Sequence, residues 1–179
     1  MPINIQSILT IKAQASESLT NWLHYQSSLT DKLQNITGDA HLELMSQQWI
    51  STDWWGKNFL QIQDEMVFQR EIIMKSYDVA YWYARSIIPQ KCYNQDPFFF
   101  DRLKNESIKN LIFGNNRVKR IHWFTYPIDQ QAIEFHWVKK YINSVKEVLW
   151  VRLTEFCFQD HHSFYLIEIL LPEIEKIIL

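Results

Sequence analysis

The sequence predicts an α+β protein built on a single antiparallel β-sheet. Apolar segments of strand length are joined by short polar turns, as in β-hairpins, and segments with helical spacing lie between them. Apolar residues make up 47% and charged residues 21% of the chain, which is ordinary for a globular protein. At 179 residues the chain fits one domain, residues 1–179, with a substantial core.

Two short helices are predicted near the N-terminus, because apolar residues recur at helical spacing between residues 17 and 37. Ser28 followed by Asp31 resembles a capping box, which places the start of the second helix at Leu29. Gly38 can end that helix. Two short helices with a break between them are the arrangement expected of a flap.

Six segments have the composition of β-strands, and two longer ones have helical character. The predicted strands are residues 41–50, 66–77, 79–89, 118–126, 148–158 and 164–172. A short polar link at residues 76–78 predicts a hairpin, and QDHHS at residues 159–163 predicts another. The predicted helices are residues 97–112, where Pro97 occupies a favoured first position, and residues 128–146.

The overall charge and the N-terminus argue against several classes of protein. With a net charge of −2 and a pI near 6.3, the chain lacks the basic character of a nucleic-acid-binding protein. An anionic ligand therefore has to be held by a local basic site. The N-terminal stretch does not have the pattern of a signal peptide, and no apolar run approaches the ~20 residues of a membrane span. We expect a cytoplasmic protein.

Familiar metal, disulfide and nucleotide motifs are missing from the sequence. Cys92 and Cys157 are the only cysteines, which is too few for a disulfide framework and fits a reducing compartment. His161 and His162 are adjacent in a predicted turn, where neighbouring side chains point apart, so joint metal ligation is not expected. The three glycines of the chain cannot form a phosphate-binding loop.

Four charged residues interrupt apolar strands: Arg70, Arg85, Arg152 and Glu168. Glu168 lies in SFYLIEILLPE, where the strand is apolar on both faces, so its carboxylate is expected to be buried and to need a partner. Each of the four residues, taken alone, is also compatible with a surface position or a salt bridge. Together they indicate a sheet face that offers guanidinium groups and one carboxylate to a buried polar anion, since a planar guanidinium binds both oxygens of a carboxylate.

Several stretches of the chain resemble the bacterial chorismate lyase family, in family order and over most of the length. The most specific are FQREIIM (68–74) followed by WYARSIIP (82–89), and the closing strand YLIEILLP (165–172). The remaining stretches are NWLHYQSSLTDKL (21–33), LELMSQQWI (42–50) and SIKNLIFG (107–114). The resemblance implies a single antiparallel sheet with helices on one side and a helical flap over a buried ligand site.

The resemblance also implies an enzyme, a carbon–oxygen lyase that removes pyruvate from chorismate and leaves 4-hydroxybenzoate for ubiquinone biosynthesis. Family members use no metal and no organic cofactor, and a monomer is expected. Arg70 matches the family's arginine for the ring carboxylate, and Glu168 matches its glutamate for the C4 hydroxyl. Leu29 matches the flap residue over the ring, and Ile108 matches a backbone contact. Arg85 also matches a family arginine, which we place beside the enolpyruvyl carboxylate.

The chain departs from the family in three places. Leu29 stands where members often have methionine, and the segment between Arg120 and Trp150 is longer than in a typical member. The QDHHS turn is longer as well. The extra segment could be an added helix, an oligomer contact or a second lid.

Two binding-protein alternatives stay open at this point. One is the effector-binding domain of some bacterial transcription regulators, which has the same fold. Those regulators carry an N-terminal DNA-binding domain, for which this sequence leaves no room before the flap helix near residue 17. The other is a relative that binds 4-hydroxybenzoate or a similar aromatic acid without turnover, because binding and turnover use the same residues.

Overall fold

The described part of the protein folds around one six-stranded sheet in which all neighbouring strands are antiparallel. The computed structural model describes residue 3 and residues 11–145 and 148–177. The strands are β1 (His41–Ser51), β2 (Met66–Ser76), β3 (Val79–Pro89), β4 (Val118–Ile128), β5 (Leu149–Phe158) and β6 (His162–Leu170). Their order across the sheet is β1-β2-β3-β6-β5-β4. The predicted α+β class and antiparallel sheet are confirmed.

Short helices connect and cover the strands. They are α1 (Glu17–Leu23), α2 (Leu29–Thr37), α3 (Trp54–Asn58), α4 (Gln90–Tyr93), α5 (Pro97–Asp101), α6 (Ile108–Ile112) and α7 (Ile133–Lys139). Two further stretches are 3-10 helices, Arg102–Lys104 and Pro172–Lys176. In the part of the chain that the structure describes, no helix is long and apolar enough to span a membrane.

The two N-terminal helices form where the sequence predicts them. Ser28 caps α2, since its hydroxyl accepts the backbone N–H of Asp31 at 3.1 Å. Gly38 ends the helix in the left-handed region with a φ of 84°, which glycine adopts without strain. Leu29 and Leu33 of α2 are buried. We call α1 and α2 together the flap.

The predicted helix over residues 97–112 is interrupted. Asp96 caps α5, and Pro97 follows as its first residue, as predicted. Asn105 then leaves the helical region with a φ of −128°, and Ser107 caps the new helix α6. A serine side chain that bonds to nearby backbone competes with a continuous helix, which explains the break.

The predicted helix over residues 128–146 is also shorter than expected. Only Ile133–Lys139 is helical in α7. Ile128 belongs to β4, where it pairs with Leu149 of β5. The start of the predicted helix is therefore part of a strand. At its other end, residues 146 and 147 lie outside the described part of the chain.

The sheet is apolar on both faces because side chains alternate along each strand. The front face, as we name it, carries Phe68, Ile72 and Leu166, and it is covered by the flap together with α4, α5 and α6. The rear face carries Ile73 and Ile167, and it is covered by α3 and α7. Helices were predicted on one side of the sheet, but they cover both faces, and α7 from the predicted segment 128–146 lies with α3 on the rear face, which is equally apolar.

Candidate functional site

A cavity lies between the front face of the sheet and the flap. Its free volume is about 50 Å³. Four residues predicted for the site line it: Arg70, Glu168, Leu29 and Ile108. Much of the wall is apolar, including Leu42, Ile72, Trp82, Ile112, Phe156 and Leu166. The charged lining residues are Arg70, Lys109, Arg120, Arg152 and Glu168.

Arg70 places a guanidinium in this cavity, and no carboxylate among the described residues forms an ion pair with it. It lies in β2 between Phe68 and Ile72 in the alternation of the front face, and it is only 5% exposed. Its Nε atom is buried and has no hydrogen-bond partner among the described residues. Burial lowers the pKa of the guanidinium, because the charged form is the one that loses hydration. An anion in the cavity would provide the missing partner.

Glu168 lies in β6, opposite Ala84 of β3 on one side and Arg152 of β5 on the other. It is 9% exposed, and its Oε2 atom lies 3.6 Å from Nη1 of Arg152, which is longer than a hydrogen bond. Burial raises the pKa of the Glu168 carboxyl, while the charges of Arg152 and Arg120 act in the opposite direction. The carboxylate therefore keeps acceptor capacity for a ligand hydroxyl.

Arg152 and Arg120 complete the polar end of the cavity. The Nη2 atom of Arg152 donates to the carbonyl of Tyr25, which follows α1, at 2.7 Å. The Nε atoms of both arginines are buried and have no hydrogen-bond partner among the described residues. Both guanidinium groups rest against the Trp123 ring, with Cζ of Arg152 at 5.3 Å and Cζ of Arg120 at 5.5 Å from its centroid.

The sequence indicates Arg152 as one of four charges on a sheet face that offers guanidinium groups to a buried anion, and it gives Arg152 no more particular role. Arg120 lies in the mixed segment VKRIHW, where the sequence does not point to a ligand. The pairing of β4 with β5 shifts between Arg120 and His122, which leaves Ile121 as a bulge. Because of this bulge, Arg120 and Trp123 lie on the same face although they are three residues apart.

The cavity is closed by the first residues of two helices. Leu29 begins α2 and Ile108 begins α6, and the backbone N–H at a first helical position has no acceptor within its helix. An ion pair joins these two elements, with Nζ of Lys109 at 2.5 Å from Oδ1 of Asp31. The hydrogen bond and charge of Lys109 lower the pKa of Asp31 against the effect of burial. We call this pair the latch.

The structure corrects the predicted place of Arg85, which lies on the rear face and outside the cavity. It pairs with Glu71 across the β2–β3 ladder, and its Nη2 atom donates to Oε1 of Glu71 at 2.6 Å. Its Nε atom donates to the hydroxyl of Tyr83 at 2.9 Å. Its Cζ atom lies 3.6 Å from the ring centroid of Trp137 in α7.

A bulge in β3 explains this correction. Near the turn Lys75 pairs with Ala80, but the next pair is Met74 with Trp82, so Tyr81 is left over. Without that extra residue Arg85 would stand opposite Arg70 on the front face. With it, Arg70 stands opposite Ser86, and a shift of one residue moves a side chain to the other face.

The cavity therefore combines an apolar slot with two separate polar regions. Arg70 forms one, and Glu168 with Arg152 and Arg120 forms the other. Among the described residues that line the cavity there is no histidine or cysteine. No group of three histidine, cysteine, aspartate or glutamate residues suited to a metal ion occurs among the described residues. The arrangement suits a small ring that carries a carboxylate and a hydroxyl.

Sequence comparison identifies related proteins along nearly the whole chain. The family model described as chorismate lyase matches residues 10–174. A protein named "Probable chorismate pyruvate-lyase" from Pseudoalteromonas atlantica is 29% identical over 160 residues, covering 87% of this chain and 80% of that protein. A protein named "Chorismate pyruvate-lyase" from Pectobacterium atrosepticum is 22% identical over 158 residues, covering 88% of this chain and 78% of that protein.

Structure comparison finds the same fold in a transcriptional regulator and in an effector domain. A GntR-family transcriptional regulator from Bacillus cereus superimposes with a TM-score of 0.56 at 15% identity, covering 75% of this chain and 93% of that one. The effector domain of PhnF from Mycobacterium smegmatis gives a TM-score of 0.54 at 12% identity, covering 82% and 90%. At these identities the similarity concerns the fold alone.

Proposed function

Since the chain belongs to the chorismate lyase family, we propose that it eliminates pyruvate from chorismate and leaves 4-hydroxybenzoate. The observation that carries the proposal is one cavity holding a buried arginine, Arg70, and a buried carboxylate, Glu168, on the same sheet face. The names of the two relatives support the same activity. We also propose that residues 1–179 form a single domain and act as a cytoplasmic monomer whose product enters ubiquinone synthesis.

Each residue retained in the cavity has a role in this proposal. The Arg70 guanidinium binds the ring carboxylate through both oxygens, which supplies the anion that its buried charge lacks. The Glu168 carboxylate accepts a hydrogen bond from the C4 hydroxyl. Leu29 covers the ring from the flap, and the backbone N–H of Ile108 is the further polar contact.

The reaction needs position and charge stabilisation from the protein. The C3–O and C4–H bonds of chorismate break, the ring becomes aromatic, and the leaving enolpyruvyl group takes up a proton at its methylene carbon to become pyruvate. Aromatisation drives the elimination, so the protein has to hold the ring and stabilise charge on the leaving oxygen. This role needs no metal and no organic cofactor, and we propose that the enzyme uses neither.

The decisive experiment is turnover by the purified chain with no added cofactor. We expect equal amounts of 4-hydroxybenzoate and pyruvate by chromatography, above the spontaneous background and unaffected by a chelator. A rise in melting temperature with 4-hydroxybenzoate but no turnover would contradict the proposal and leave a binding protein of the same fold.

Arg70→Ala tests the site assignment within the same assay. The substitution leaves the ligand carboxylate buried without its partner, so we expect loss of turnover and a 4-hydroxybenzoate affinity weaker by about 2–5 kcal/mol. Arg102→Ala is the matched control, because Arg102 forms a half-exposed pair with Glu106 and does not line the cavity. An active Arg70→Ala enzyme would refute the assignment.

A further inference from the structure

The cavity contains positive charge beyond what one ring carboxylate requires. Arg120 and Arg152, which we call the arginine pair, stand at the opposite end from Arg70. Arg152 is 3% exposed, and both members present a buried Nε atom with no hydrogen-bond partner among the described residues. Lys32 adds a third charge nearby, since burial and then the charge of Arg152 lower its pKa.

The arginine pair is held together against its own repulsion. Both guanidinium groups rest on Trp123, and burial and then the charge of Arg152 lower the pKa of Arg120. Glu168 is the carboxylate close to them, at 3.6 Å from Arg152. Among the described residues Arg120 has no ion-pair partner of its own. The buried charge of Arg152, the half-buried charge of Arg120 and the nearby charge of Lys32 face the single carboxylate of Glu168, so positive charge is in excess in this region.

The position of the arginine pair relates it to a particular part of the ligand. Arg152 stands directly opposite Glu168 in the β5–β6 ladder, one strand further from Arg70. If Glu168 receives the C4 hydroxyl, the arginine pair lies next to a neighbouring carbon of the ring. In chorismate that neighbour, C3, carries the enolpyruvyl ether with the second carboxylate.

We propose that Arg120 and Arg152 form a second carboxylate subsite, which binds the enolpyruvyl carboxylate of chorismate beside the C4 hydroxyl. This proposal rests on the proposed lyase function. It assigns to Arg120 and Arg152 the contact with the enolpyruvyl carboxylate that the sequence analysis expected of Arg85. The site then recognises a dianion whose two carboxylates are held at opposite ends, by Arg70 and by the arginine pair.

The subsite also bears on the reaction. When the C3–O bond breaks, its electron pair moves onto the leaving oxygen, which is bonded to the carbon that carries the second carboxylate. The arginine pair stands where this charge develops, and cations partly or wholly removed from water stabilise such charge more strongly than exposed ones. The product 4-hydroxybenzoate lacks the second carboxylate, so it binds without satisfying this subsite.

Two simple aromatic acids test the subsite independently of turnover. 4-Hydroxyisophthalate is 4-hydroxybenzoate with a second carboxylate on the carbon next to the hydroxyl. By titration calorimetry on the full chain, we expect 4-hydroxyisophthalate to bind about tenfold or more tightly than 4-hydroxybenzoate, because the extra carboxylate forms charge-assisted hydrogen bonds.

Arg120→Gln is the informative substitution, since Arg152 also holds the Tyr25 carbonyl. The preference is the ratio of the affinities for 4-hydroxyisophthalate and 4-hydroxybenzoate, and we expect Arg120→Gln to reduce it by at least about fivefold. Lys119→Gln is the matched control. It removes the same charge from the neighbouring position, where the side chain is 60% exposed and paired with Asp160.

The outcomes separate the two proposals. Equal or weaker binding of 4-hydroxyisophthalate to the unaltered protein would overturn the subsite, as would a preference that survives in Arg120→Gln. Chorismate turnover is measured on the same preparations. Turnover without the preference removes the subsite and keeps the lyase, and the preference without turnover removes the lyase and keeps a site for dicarboxylates. Failure of both acids to bind would overturn the subsite and the ligand site together.

Discussion

At Glu168 two electrostatic effects oppose each other within one cavity. Loss of hydration favours the protonated acid, while Arg152 and Arg120 favour the carboxylate. The net effect is a raised pKa, so burial outweighs the two arginines. A ligand carboxylate placed on the arginines would weaken their effect on Glu168, which couples its protonation to the occupancy of the site.

Glu168→Gln should change how stability depends on pH. The folded chain holds the Glu168 proton more tightly than the unfolded chain, so the stability contributed by this group is present at low pH. It is lost as the pH rises from its ordinary value of 4.5 through the raised pKa. Urea unfolding of wild type and Glu168→Gln, across about pH 4 to pH 8, should show wild type losing stability relative to the variant.

Glu65→Gln is the control for this measurement, because it removes a carboxylate from an exposed position. Its difference from wild type should not follow the trend seen with Glu168→Gln. A stability difference between wild type and Glu168→Gln that stays constant over the whole pH range would contradict the raised pKa.

The sequence predicted the site as far as alternation within single strands allows. Arg70 and Glu168 were placed correctly on the front face because their apolar neighbours define that face locally. Arg85 and Arg120 depend instead on bulges in β3 and β4. A bulge arises from the pairing of two strands, and one strand's sequence does not show it, so the faces of these two arginines could not be predicted.

At the scale of elements, the cavity is closed by two short helices that one ion pair connects. Helix α2 has nine residues and α6 has five, which is too short for either to be stable alone. Burial of Leu29 and Leu33 holds α2 on the front face, and the latch between Asp31 and Lys109 joins it to α6. We propose that a ligand leaves between α2 and α6, so the latch should affect the rate of release.

Asp31→Asn should accelerate release of 4-hydroxybenzoate by at most about fivefold, since an exposed pair contributes about 0.2–1 kcal/mol. Stopped-flow dissociation measures this rate. Because the pKa of Asp31 is lowered, the latch is intact above the ordinary value of 3.8 and is lost as the pH falls through the lowered pKa. Release from wild type should therefore approach that of Asp31→Asn at low pH.

Asp160→Asn is the matched control, because it breaks an exposed pair with Lys119 that does not join the flap to α6. Using Asp31 leaves the charge of Lys109, which lines the cavity, in place. Equal dissociation rates in wild type and Asp31→Asn would show that the latch has no part in release.

The elements that were predicted well are those whose ends are fixed by local chemistry. Helix α2 begins at Leu29 and ends before Gly38 because its caps lie in the sequence itself. The predicted helix over residues 128–146 is different, because pairing of Ile128 with β5 shortens it from one side. That pairing is a contact between distant segments, and helical spacing carries no information about it.

At the scale of the whole molecule, β2 contributes to two different structures, the cavity on the front face and a polar network on the rear face. Its front face contributes Arg70 to the cavity, and the next residue, Glu71, anchors a buried network on the rear face. The hydroxyl of Tyr83 donates to Oε1 of Glu71 at 2.5 Å, and the hydroxyl of Tyr141 donates to Oε2 at 2.8 Å. Arg85 completes the network by pairing with Glu71. Tyr141 lies just beyond α7, so we infer that residues 129–145 between β4 and β5 cover the rear face.

Arg85→Ala should destabilise the fold and leave the ligand site intact. It would leave Glu71 as a buried charge without its cation, for which we expect a loss of about 3–5 kcal/mol in unfolding free energy and about 10 °C in melting temperature. Calorimetry at low temperature should still give a 4-hydroxybenzoate affinity within about twofold of wild type, because Arg85 is on the opposite face from the cavity.

Tyr141→Phe extends this test to a variant that keeps the ion pair. It removes one hydrogen bond to Glu71, so the unfolding free energy should fall by about 1 kcal/mol while the affinity for 4-hydroxybenzoate stays the same.

Arg70→Ala should show the reverse pattern, because it should weaken 4-hydroxybenzoate binding more than it lowers the unfolding free energy. If Arg85→Ala instead weakened 4-hydroxybenzoate binding more than about tenfold at unchanged melting temperature, Arg85 would belong to the ligand site.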